Sequence, residues 1–373
     1  AYYYSPRPSE GLKGAVQGLD ISENSLRTIS RQAEYRGTYF TEQGEELLRK
    51  GKFQEAMRFY QAAQLLSPKD PKALIQLGSI TQQTADSYDD FRRVMNYYER
   101  AIDLDPKDPQ GYIELGTLET EQYNLDRGYK LLSQALALDP DGAPPRVALG
   151  KHFYQRQDYS QALNYFLEAS RIDPANSEVQ YYAGLMREKF RQDGVKEAEK
   201  FFYRAYVSDP TNYDALAAWL RTKVVNYEKT YAIRFVQNLI EQDPRNPELY
   251  WALGKVYEAN SEYRRAIPQF HRSLDLDNRR SKVRMSFAKA LESVGQLNKA
   301  VAEYRLASLL DRRNSKGFYK AADLLFQMKK YNQSEEVLNF LVSITPNYPG
   351  AHRYLSKIHL LRNREKEAIR EME

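Results

Sequence analysis

The residues that could support acid–base or metal chemistry are few. The chain has 373 residues, no cysteine and four histidines, His152, His271, His352 and His359. A helical zinc hydrolase site needs two histidines four apart with a glutamate between them, so that both rings meet one ion and the carboxylate activates water. None of the four histidines begins such a motif. His352 and His359 are seven apart and share a helix face, a spacing that packing explains without a ligand. The lack of cysteine excludes disulfides, thiolate nucleophiles and sulfur-ligated zinc or iron sites. Segments such as ALGKHF from Ala148 and AGLMREKF from Ala183 contain glycine. A phosphate loop, however, needs a run of amides facing the anion, which continuous helices do not present. No GxSxG nucleophile motif occurs. The carboxylates are abundant but recur at helix caps and solvent faces. The expectation is a protein with no catalytic residues, no cofactor and no metal site.

Charge is unevenly distributed. The formal net charge is +5, yet residues 277–373 carry 19 Lys or Arg against 11 Asp or Glu, whereas residues 1–276 carry 36 against 39. The clusters Arg279, Arg280, Lys282, Arg284 and Arg312, Arg313, Lys316 would attract phosphate or an acidic protein surface. No base-reading helix motif or aromatic RNA platform accompanies them, so the expected partner is a protein and not a nucleic acid. With 42% hydrophobic and 13% aromatic residues the chain has ample material for packing. No stretch approaches the ~20 apolar residues that cross a bilayer.

The elements behind these residues are set by a repeat. Turn positions recur at Pro68, Pro106, Pro140, Pro174, Pro210, Pro244, Asn278, Arg312 and Pro346, with spacings of 38, 34, 34, 36, 34, 34, 34 and 34. A small residue stands 24 before the turn at Gly44, Gly116, Gly150, Gly254, Ala288 and Ala322, and Gly78 and Gly184 join after insertions of four and two. Alanine recurs 12 before it, as in Ala56, Ala162 and Ala266, and five before it, as in Ala63, Ala135 and Ala205. A bulkier residue lies eight before it: Tyr60, Tyr98, Leu132, Phe166, Phe202, Val236, Phe270, Tyr304 and Leu338. Within a period the apolar residues fall three and four apart, as in Tyr263, Ala266, Ile267, Phe270 and Leu274, which is a helical stripe. Asp108 before Pro109 and Asn246 before Pro247 supply helix caps. Each period is therefore two helices and a turn, and pairs must stack to bury a core.

The units PELYWALGKVYEANSEYRRAIPQFHRSLDLDN (Pro247–Asn278) and ALGKHFYQRQDYSQALNYFLEASRIDP resemble tetratricopeptide repeats in their aromatic, Leu-Gly, Tyr, Ala, Phe, Ala, Pro pattern. The resemblance covers most of the chain and implies an all-α, right-handed α-solenoid of stacked antiparallel helix pairs. About nine full repeats and a truncated tenth occupy residues 35–373, after an N-terminal tail and capping helix in residues 1–34. Leu220 stands at one Gly position and Ser334 at one Ala position, while Asn278 and Arg312 replace the turn proline. The insertions around Ala85, Asp86, Ser87 and Tyr88 and around Gln192, Asp193 and Gly194 are expected to lengthen turns or helix ends. His359 falls where the family carries Tyr, which favours packing.

The resemblance also implies a groove built from first helices. Residues just after the small position include Arg221, Lys255 and Lys289, spaced 34 and 34, and those four earlier include Tyr181, Trp251, Met285 and Tyr319. Tyr181, Arg221, Trp251, Lys255, Met285, Lys289 and Tyr319 form the expected protein-binding strip, its partner an extended segment with acidic and apolar side chains. The expected function is a non-catalytic scaffold or adaptor, the alternative an accessory positioning domain of a bacterial envelope or polysaccharide-export assembly. The start Ala1, Tyr2, Tyr3, Tyr4, without Met, and the lack of cysteine favour a processed protein of the periplasm or envelope over the cytoplasm. The unfinished last repeat fits a piece of a longer chain.

Overall fold

The computed structural model describes residues 23–84, 87–190, 194–311 and 315–371. The tyrosines at positions 2–4 and the insertion residues Ala85, Asp86, Gln192 and Asp193 lie outside the described residues, as do Arg312 and Arg313. Twenty helices and no strand occur among the described residues. They are α1 (Glu23–Arg49), α2 (Phe53–Leu66), α3 (Pro71–Thr84), α4 (Tyr88–Leu104), α5 (Pro109–Glu121), α6 (Leu125–Leu138), α7 (Ala143–Gln155), α8 (Tyr159–Ile172), α9 (Ser177–Phe190) and α10 (Gly194–Ser208). Then follow α11 (Tyr213–Val225), α12 (Lys229–Gln242), α13 (Pro247–Ala259), α14 (Tyr263–Leu276), α15 (Ser281–Ser293), α16 (Leu297–Leu310), α17 (Lys316–Gln327), α18 (Tyr331–Ile344), α19 (Ala351–Leu361) and α20 (Glu365–Arg370). The chain divides into two units, Ala1–Leu115 and Gly116–Glu373.

The turn inside eight of the helix pairs has one recurring solution. Gly51, Tyr123, Gln157, Tyr227, Ser261, Gly295, Lys329 and Asn363 all have positive φ, between 58° and 78°. The next amide bonds back five residues, as in Asn124 N–H to Glu119 C=O and Glu262 N–H to Tyr257 C=O. This Schellman closure satisfies the orphan carbonyls of the first helix and reverses the chain in two residues. Only two of the eight positions are glycine, so the repeat tolerates left-handed strain at the others. The junctions between pairs use side-chain caps: Asn246 Oδ1 accepts from Glu248 N–H at 3.0 Å and Asp108 Oδ1 from Gln110 N–H at 2.9 Å. At the first insertion Ser87 and Asp90 form a reciprocal capping box, which starts α4 early and makes it 17 residues long.

The small and bulky series meet inside every pair. A Cβ at Gly44 would collide with the Tyr60 ring, at Gly78 with Tyr98, at Gly116 with Leu132, at Gly150 with Phe166, at Gly184 with Phe202 and at Gly254 with Phe270. The bulky partners are fully buried, as are Ala56, Ala162, Ala198, Ala232, Ala266 and Ala300. Absence of a side chain on the first helix lets the ring from the second lie against its backbone. Where Leu220 replaces the glycine, the facing position holds Val236, the smallest residue of its series, and both are buried in one core cluster. Volume is thus conserved across the pair.

The last described helix is held by a charged latch. His352 Nδ1 lies 2.7 Å from a Glu371 carboxylate oxygen and Nε2 lies 2.7 Å from the Pro346 carbonyl. Both partners are acceptors, so the ring must donate from both nitrogens. Burial pulls the imidazole pKa down, but the bonds to Glu371 and Pro346 outweigh it and hold it above 6.5. A raised folded-state pKa contributes stability that is complete below the unfolded value near 6.5 and lost as pH rises through the folded one. An NMR titration is expected to place the His352 midpoint above 6.5, with faster amide exchange in α20 on the alkaline side. A midpoint at or below 6.5 would remove the latch.

Candidate functional site

The first helices α9, α11, α13, α15 and α17 carry the seven residues of the expected strip. On α11, Arg221 makes a bidentate pair with Glu188 of α9. On α13, Lys255 donates to Glu258 at 2.8 Å, and Lys289 of α15 reaches the other oxygen of the same carboxylate at 2.6 Å. Glu258 is 7% exposed. Burial pushes its carboxyl pKa upward, but the two ammonium groups prevail and hold it below 4.5. Arg221 lies close enough to Lys289 to oppose its charge. Three cations and two carboxylates therefore form one cluster.

Trp251 is 5% exposed, its indole N–H donates to Ser286 Oγ at 3.1 Å, and the Lys282 ammonium lies 4.5 Å from the ring centroid. Lys282 also pairs with Asp214 and Glu248, both at 3.2 Å. Burial lowers the Lys282 pKa, and Asp214 opposes that shift. Asp214, Glu248 and Lys282 are spaced 34 and 34, so this ladder shares the register of the basic one. Tyr181 is half-buried, with its ring 5.5 Å from Tyr182 and 5.9 Å from Phe202. Burial and then Asp214 push its phenol well above 10. Met285 is half-buried and packs against the last core cluster. Tyr319 belongs to a different group, with ring centroids 5.2 Å from Tyr348 and 5.6 Å from Tyr354. The structure thus gathers Arg221, Lys255 and Lys289, sets Trp251 beside them as packing, and places Tyr319 among other tyrosines.

Sequence reasoning overlooked the carboxylates. Glu258 stands three residues after Lys255 on the same helix, a legible pairing signal, whereas Glu188 is 33 residues before Arg221. It also overlooked a cavity of about 460 Å³ in the second unit, whose lining includes Lys151, Tyr154 and Tyr182 from first helices and Lys316 and Tyr348 from much later in the chain. Asn347 hydrogen bonds to Asn124, 223 residues away, and the Tyr123 and Tyr348 rings meet edge to face at 5.1 Å. His152 on this wall is fully buried, and its Nδ1 lies 2.9 Å from Thr120 Oγ1. Burial and then Arg156 lower its pKa to about 4, so the ring is neutral at physiological pH. No group of three or more acidic or histidine ligands suited to a metal occurs among the described residues. No described helix is long and apolar enough to cross a membrane.

The family comparison bears on the same walls. The tetratricopeptide repeat profile matches residues 119–186, from the end of α5 into α9 of the second unit. Such repeats are typically non-enzymatic scaffolds for protein–protein interaction. No curated protein matches the sequence. Among solved structures, a tetratricopeptide repeat protein from Parabacteroides merdae is 15% identical, with 69% of this chain and 99% of that one covered at a TM-score of 0.49. PilF from Pseudomonas aeruginosa is 18% identical, covering 58% and 96% at 0.47. YrrB, described as having an unusual peptide-binding site, is 20% identical, covering 48% and 92% at 0.36.

Proposed function

We propose that this chain of helix pairs is a non-catalytic scaffold that holds an extended segment of another protein along its first helices. The contact is centred on Arg221, Lys255 and Lys289, flanked by Tyr181, Met285 and Tyr319, and Trp251 supports it from within. The segment carries carboxylates between apolar anchors. One observation carries this reading: Lys255 and Lys289 share the single carboxylate of Glu258, while Arg221 has its own partner in Glu188. The cluster keeps one uncompensated positive charge, and the Lys289 side chain is 57% exposed. A guest carboxylate can join Lys289 without displacing Glu258. The preordered helix pairs limit the ordering cost on the scaffold side.

Fluorescein-labelled peptides that alternate Glu with Leu or Phe serve as the probe. Lys289→Gln is expected to weaken the best binder about three- to tenfold in 50 mM salt and less in 500 mM, as screening predicts. Lys255 still pairs Glu258 in that variant, so helicity and melting should hold. Affinity that does not change with Lys289→Gln at either salt concentration would overturn the assignment.

A further inference from the structure

The cavity in the second unit is where the row of first helices meets chain from much later repeats. Thr117 on α5 and Lys151 on α7 line it, and they hold the register that Arg221, Lys255 and Lys289 hold on α11, α13 and α15. Asp311, Ser315, Lys316 and Tyr348 line the same cavity, so this end of the row is roofed by the last repeats. The roof is held where two turns meet. Asn347 donates to Asn124, the Tyr123 and Tyr348 rings touch edge to face, and their phenols hydrogen bond to each other, with Gln155 as a second partner of Tyr123. Tyr348 is 8% exposed, and Tyr123 packs against the last core cluster. The turn itself does not require this docking. Tyr227 has the same left-handed conformation at the equivalent position, φ 66° against 61°, and is 98% exposed. Beside the contact a cavity of about 460 Å³ takes the place of packing, whereas inside the helix pairs rings lie directly against backbone.

We infer that Tyr123, Asn124, Asn347 and Tyr348 form a releasable clasp, an autoinhibitory contact that covers the Thr117 and Lys151 end of the groove until it opens. A contact made by the side chains of two turns, with a cavity behind it, has little to hold it against local opening, which breaks the least stable contacts of a fold first. Opening parts the wall drawn from α5 and α7 from the residues that lead into α17, while each helix pair keeps its own internal packing. The closed form therefore offers a groove shorter than the register of its residues, and it serves a short guest at the Lys255 and Lys289 end. The effect on guests rests on the scaffold reading; the covering of Thr117 does not.

The test uses the whole chain. Tyr123→Gly with Asn347→Ala is the released form, since glycine adopts the left-handed turn freely and both changes only remove atoms. The chain has no cysteine, so Thr117→Cys gives a single reporter in the cavity wall. A bulky maleimide is expected to label it about fivefold faster in the released background than with the clasp intact, at unchanged helicity. Equal labelling rates would overturn the inference. The guest arm compares alternating Glu and Leu peptides of about six and about 20 residues, the longer able to span the steps from α5 to α15 at about 8–10 Å each. The released form should bind the long peptide about fivefold tighter and the short one equally. A short bis-maleimide bridging Asn124→Cys and Asn347→Cys locks the clasp and should weaken the long peptide alone. A long peptide indifferent to both release and locking sinks the autoinhibition. Lys289→Gln keeps the two readings apart: if neither peptide responds to it, the scaffold reading falls and the labelling rate alone decides the clasp.

Discussion

Gly254→Leu is expected to destabilise the second unit by about 3 kcal/mol, the upper end of ordinary overpacking costs. A Cβ at this position would lie 2.4 Å from Phe270 Cε1 and 2.6 Å from Cδ1, and the ring is fully buried with no room to turn away. Gly254→Ala gives the sign of the effect. Helix propensity alone favours Ala over Gly by about 1 kcal/mol, so an indifferent site would gain stability. The collision predicts a loss instead. Denaturant unfolding reads the free energy, and amide exchange should place the damage in α13 and α14, because repeat stability is a sum of local and nearest-neighbour contributions. The Leu220 and Val236 pair supplies the rescue: Phe270→Val added to Gly254→Leu should recover part of the loss. If Gly254→Ala raises stability, the glycine and ring pairing does not constrain the repeat.

Removing both lysines from Glu258 should have an effect of similar size. Lys255→Met with Lys289→Met leaves a carboxylate that is 7% exposed without a counter-charge. Breaking a buried pair in this way costs about 3–5 kcal/mol, and the exposure of Lys289 places the expectation near 3. The pH dependence identifies the cause. In the native protein the Glu258 pKa is held below 4.5, so its contribution is present above that value and lost as pH falls through the folded pKa. In the double variant the stranded carboxylate gains by taking up a proton. Its deficit relative to the native protein should therefore shrink between pH 7 and pH 4. A deficit that is constant across that range would mean the lysines act through packing of their stems.

Charge reversal at Lys255 and Lys289 together tests the groove and the support of Glu258 at once, so a lost complex could reflect either. Lys289→Gln separates them. Likewise Trp251→Ala opens a hole at a 5% exposed position whose N–H is bonded to Ser286, and the loss of packing would mask any loss of contact.

The helix pairs, their register and their internal packing are determined by the sequence alone. The 34-residue period, the capping residues at Asp108 and Asn246, and the match of Gly254 to Phe270 or Leu220 to Val236 are all short-range relations, each decided within one repeat. The residues of the ladder were equally legible, since Arg221, Lys255 and Lys289 keep one register. What they touch was not. Glu188 meets Arg221 only through the stacking of α9 on α11, and the Lys282 link to Asp214 spans 68 residues and two helix pairs. Whether Trp251 faced a partner or the interior depended on its rotation about α13 and on Ser286 of the next first helix. The cavity lies furthest from sequence. Tyr123 meets Tyr348 because small rotations from one helix pair to the next add up until distant repeats touch, and no single repeat encodes that sum.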